Sequence, residues 1–178
     1  MLKLWLRAAN PFNAPRAMAE AQRAARVAAF ALLASGFVSL VFSALMIIHP
    51  EWLTTILANQ YTRMGFAGEG LETMMSMMSA ILPMAMVSGI VGSVVIYGVL
   101  AWVQWKYATR AIPVVILLMT AYGAVMGCVG LMTGQYHGLD ASYGIMAAFS
   151  WIVQTACAVL YVASLRGAFV LHRLKQEP

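Results

Sequence analysis

The sequence predicts an all-α integral membrane protein, an antiparallel bundle of four transmembrane helices. Three observations predict it. Four apolar stretches, Val27–Ile48, Met74–Trp105, Ala111–Met132 and Tyr143–Leu165, each supply the length needed to cross a hydrocarbon core of about 30 Å at about 1.5 Å per helical residue. The chain is 62% hydrophobic and only 10% charged, whereas a water-soluble domain carries about a quarter charged residues. Ten of the eleven Lys and Arg residues fall before the first stretch, between the second and third, or after the fourth.

That charge asymmetry sets the expected topology. Lys3, Arg7, Arg16, Arg23 and Arg26 precede span one, Lys106 and Arg110 separate spans two and three, and Arg166, Arg173 and Lys175 follow span four. Arg63 alone occupies the first loop, while Glu51, Glu69, Glu72 and Asp140 mark the opposite side. The positive-inside rule then places both termini in the cytoplasm, most naturally of a bacterial cytoplasmic (inner) membrane. The net charge of +5 therefore reads as topology, and no nucleic-acid partner is expected. Residues 1–14 form a cytoplasmic interfacial segment, and 15–178 form the transmembrane domain, with spans at about 27–48, 83–105, 111–132 and 143–165. Span one lacks a small-x-small cleavage site and exceeds the usual h-region, so it is expected to remain as an anchor rather than leave as a signal peptide.

Each element has a local reason. In the N-terminus, Leu2, Trp5, Leu6 and Ala9 share one helical face and Lys3, Arg7 and Asn10 the other. This predicts an amphipathic helix in the headgroup layer, anchored by Trp5, with its cations toward anionic lipid. Pro11 and Pro15 end it, and Pro15 suits the first position of the next helix, expected to run to Ile48. Its first turns, Arg16–Arg26, are too polar for lipid and should protrude, with Arg16, Glu20 and Arg23 spaced to pair. Ser35, Ser39 and Ser43 form a small-residue stripe within the span, suited to close helix packing.

In the first loop, Pro50 and Glu51 favour a helix start, and Trp52, Leu53, Ile56 and Leu57 give it an apolar face. Glu51–Asn59 is thus expected to be a second interfacial helix, with Trp52 as its anchor. Span two is too long to cross straight, because its 32 residues would measure roughly 48 Å. Pro83 offers a bend, leaving Glu72–Leu82 oblique or projecting and Pro83–Trp105 crossing. Trp102 and Trp105 then anchor the cytoplasmic interface. Span three carries Gly123-x-x-x-Gly127, a helix-contact motif, and span two offers Gly89 and Ser93 at the same spacing.

The sequence disfavours much chemistry. The centres of the spans contain no Asp, Glu, Lys, Arg or His, the residues on which proton relays and voltage sensors rely. Gln154, near the middle of span four, is expected to act as interhelical hydrogen-bond glue. Met74, Met75, Met77 and Met78 crowd the outer end of span two. Thioethers suit Cu(I), but methionine also packs irregular surfaces, and packing is the favoured reading. His49 and His137 give a haem site weak support. Cys128 and Cys157 differ in depth by roughly 15 Å, too far for a bridge. No base and acidic orienter accompany any serine, so no enzyme is expected, and no cofactor is predicted. The leading expectation is a non-catalytic accessory subunit that contacts membrane lipid and docks on other membrane-protein subunits or forms a homo-oligomer. The alternatives are a small transporter or channel for a neutral or lipidic molecule, and a copper-binding membrane protein.

Overall fold

Helical periodicity carries through to a structure in which 86% of the described residues are helical, with no strand among them. The computed structural model describes residues 2–12, 15 and 17–176. The helices are α1 (Leu2–Ala9), α2 (Met18–Ile48), α3 (Pro50–Arg63), α4 (Glu69–Tyr107), α5 (Ala111–Met132) and α6 (Ala141–Leu174). Four of them, α2, α4, α5 and α6, are long and apolar enough to cross a membrane.

Several boundaries differ from the sequence expectation. Helix α2 starts at Met18 rather than Pro15, with Ala17 in extended backbone as its N-cap. The expected pairing of Arg16 lies outside the described residues. Helix α3 extends to Arg63, beyond Asn59. Helix α4 runs unbroken through Pro83 for 39 residues, roughly 58 Å of helix, because one missing N–H interrupts a single rung of the ladder. It stops where Ala108 takes a left-handed φ of 49°. Helix α6 continues well past Leu165 to Leu174, and its start is capped by Asp140, whose carboxylate accepts the Tyr143 N–H at 3.0 Å.

Helix α2 is the hub, packing most heavily on α6 and next on α4, while α5 packs chiefly on α6. Its early residues are alanine-rich, and Ala21, Ala24, Ala25, Ala28 and Ala31 are all buried. Side chains this small let neighbouring backbones come close. A Cβ on Gly167 would lie 2.5 Å from the Ala24 Cβ, and one on Gly36 would lie 2.9 Å from the Tyr97 Cβ. The polar first turns, expected to protrude, lie alongside the extension of α6. There Ala21 and Ala25 form a cluster with Ala168 and Leu171.

Aromatic rings and cations gather where α1 meets α2, α4 and α6. Trp5 of α1 stacks on Trp105 of α4, with ring centroids 5.9 Å apart at 16°. Phe30 meets both rings edge-on, and the Arg26 guanidinium lies 5.4 Å from the Trp105 ring centre. Arg166 of α6 donates to the Pro11 carbonyl. This cluster marks the basic end of the molecule. Helix α3 packs on α4 and α2. Trp52, expected as an interfacial anchor, is only 3% exposed and packs with Met46 and Tyr143. The His49 ring stacks on Trp52, with centroids 4.5 Å apart.

Candidate functional site

Two kinds of helix surface result, one closed and one open, and their contrast defines the candidate site. The closed surface centres on the Ala25 carbonyl. Gln104 of α4 donates to it from Nε2 at 2.7 Å, and Ser164 of α6 donates from Oγ at 2.7 Å. Gln104 is fully buried and is held further by Thr109, whose carbonyl accepts from Nε2 and whose hydroxyl donates to Oε1. One backbone oxygen therefore ties three helices. Helical carbonyls have a second lone pair to offer, and burial makes those bonds count. Further along, the Ser35 and Tyr161 hydroxyls meet at 3.2 Å, and the Cys157 thiol points at the Ala31 carbonyl at 3.5 Å.

Of the expected packing residues, Ser35 belongs to this closed seam, while Ser39 and Ser43 are half-buried. Sequence reasoning missed Gln104, Ser164, Gly36 and Gly167. Gln104 resembled an interfacial residue, because it sits in the last turn of α4 beside Trp102 and Trp105. Its signal was the polar Thr109 five residues on, across the break at Ala108.

The open surface lies on α4 and α5. Only Ala101 and Gln104 of α4, and Pro113 and Gly130 of α5, are buried. A Cβ added at Gly89, Gly92 or Gly123 would meet nothing within 4 Å. Gly127 behaves differently, because a Cβ there would lie 2.6 Å from the Trp151 ring of α6. The expected Gly123–Gly127 pair is thus split: one residue seats a tryptophan and the other faces outward. Ser93 is half-buried. Gln154 is half-buried too, and among the described residues it makes no hydrogen bond. Met77 is exposed, and Met74, Met75 and Met78 are half-buried on the early turns of α4. Trp102 is 60% exposed, and the Lys106 ammonium lies 5.1 Å from its ring centre.

At the α3 end, Asn59 donates from Nδ2 to the carbonyls of Gln135 and His137, clamping the turn between α5 and α6. Glu51 accepts from or donates to His49 Nδ1 at 2.9 Å, according to protonation. Its own backbone N–H first, and the His49 ring second, hold its carboxyl below the usual range. Among the described residues no group of three or more His, Cys, Asp or Glu side chains gathers to hold a metal. Cys128 is exposed and Cys157 is buried, and both are free thiols.

Compared with known proteins, the chain matches no family model, no curated protein and no solved structure.

Proposed function

We propose that this chain is a non-catalytic subunit of the bacterial cytoplasmic membrane, with both termini cytoplasmic and its four long helices antiparallel. It docks on another membrane protein or on a second copy of itself through the outward faces of α4 and α5. The carrying observation is the open glycines, Gly89, Gly92 and Gly123, set on helices in each of which only two residues are fully buried within the chain. A glycine inside a helix costs up to about 1 kcal/mol relative to alanine and offers lipid no side chain. It becomes favourable where a second helix approaches closely. Gln154 supports the same reading, because an amide near the middle of a span whose side chain makes no hydrogen bond among the described residues favours one from a neighbour.

A transport role would need a polar route to Gln154. The open cleft between α2 and α6, beside Phe37, Val41, Phe42, Met146 and Phe149, is apolar apart from Ser150. That chemistry suits acyl chains better than a polar solute, and favours the subunit reading over the transport one.

Gentle extraction from the source membrane, followed by purification of the full chain, tests the proposal. A reproducible stoichiometric partner or a defined homo-oligomer is expected, and Gly123→Ile should weaken it. A lone monomer under the same conditions overturns the proposal.

A further inference from the structure

We propose that Arg7 and Arg23 hold the phosphate of an anionic phospholipid headgroup at the basic end. This rests on the membrane reading above, but not on any protein partner. The two arginines line the same hollow between α1 and α2, with Leu4, Pro15 and Glu20 completing its walls. Among the described residues neither guanidinium makes an ion pair or a hydrogen bond. The hollow has about 20 Å³ of free space, enough for a water-sized group. The phosphate therefore rides at its mouth, between guanidinium groups suited to bidentate bonding.

Arg26, three residues beyond Arg23, does not line the hollow, and its guanidinium lies over the Trp105 ring instead.

The surroundings favour a lipid over a free phosphate ion. Trp5, Trp105 and Phe30 form an aromatic cluster beside the site, the kind of ring system that sits at headgroup depth. Leu4 is 47% exposed and Leu6 64% exposed on α1, leaving apolar surface for the glycerol and upper acyl carbons. The apolar run of α2 begins at Val27, about one turn past Arg23. A headgroup phosphate at this level thus places its chains along the hydrophobic part of α2.

Native mass spectrometry of the full chain, released from detergent with defined lipid, tests the site. Phosphatidylglycerol should remain bound at one copy per chain, and phosphatidylcholine should not. Arg7→Gln with Arg23→Gln should weaken phosphatidylglycerol about thirtyfold, the combined effect of two basic contacts at a membrane surface. Lys106→Gln with Arg110→Gln should leave it within about twofold, because those cations engage the rings of Trp102, Tyr107 and Phe169. Circular dichroism of each variant confirms that the helices persist, and Arg7→Lys with Arg23→Lys should restore part of the affinity. Equal retention of both lipids, or unchanged binding in the double glutamine variant, overturns the site. So does displacement of the lipid by millimolar inorganic phosphate, which would make it a soluble-anion site. Carbonate extraction separates this failure from that of the membrane reading, because a chain released from membranes by alkali loses both.

Discussion

Gly167→Ala probes a close contact between α6 and α2. Its new Cβ would lie 2.5 Å from the Ala24 Cβ, 2.7 Å from the Ala25 N and 2.9 Å from the Ala24 carbonyl carbon. Ordinary van der Waals contact begins near 3.4 Å, so α6 must retreat from α2 by roughly 0.9 Å, from backbone that cannot swing aside. The Ser164 Oγ to Ala25 O distance of 2.7 Å would then grow to about 3.6 Å, beyond a useful hydrogen bond. Overpacking costs about 1–3 kcal/mol, and a lost interhelical bond about 0.6 kcal/mol more. Better helix propensity returns up to about 1 kcal/mol. The net destabilisation is about 1–3 kcal/mol. Unfolding of the full chain in mixed micelles, by denaturing-detergent titration, measures it. Gly123→Ala is the internal control: with nothing within 4 Å, it should be neutral or stabilising by up to about 1 kcal/mol. If Gly167→Ala is as stable as the parent, the packing of α2 on α6 described above is wrong.

Three further outcomes follow from the same geometry. Gln104→Leu should destabilise by about 1–2 kcal/mol in that titration, because the Thr109 hydroxyl and carbonyl lose a buried partner, and a neutral result would remove its role at the junction. Gln154→Leu should leave monomer stability within about 0.5 kcal/mol and weaken assembly, read by size-exclusion chromatography with light scattering; lost stability with intact assembly would place its partner inside the chain. Glu51 has a lowered carboxyl pKa when folded, so its contribution to docking of α3 is complete above the ordinary carboxylate range and is lost as pH falls through the folded value. Near-UV circular dichroism of the Trp52 cluster should weaken over that acid range in the parent, and Glu51→Gln should remove this component, whereas identical acid profiles would refute the link.

The sequence was sufficient for the helical class, the four long apolar elements and the two short amphipathic ones. Hydrophobic length and 3.6-residue periodicity are local properties, so α1 and α3 were legible at Leu2–Ala9 and around Trp52 without reference to a partner. The ends of helices were less so. Pro15 is sterically suited to begin α2, yet the helix begins at Met18, and α6 runs on to Leu174 because Ala168 and Leu171 find Ala21 and Ala25 to pack against. Small-residue spacing marked candidate contacts but could not say which were filled. Gly123 and Gly127 are equivalent in the motif, and only Gly127 has Trp151 above it. Trp52 carried an interfacial signature and is instead enclosed by Met46, Tyr143 and the ring of His49. Gln154 was the glutamine expected as helix glue, but the tertiary structure brings the Ala25 carbonyl to Gln104, and the Gln154 side chain makes no hydrogen bond among the described residues. Composition and period determine which elements form, because they depend on neighbours along the chain. Which face is closed and which remains open depends on helices brought together from distant positions, and only their packing decides it.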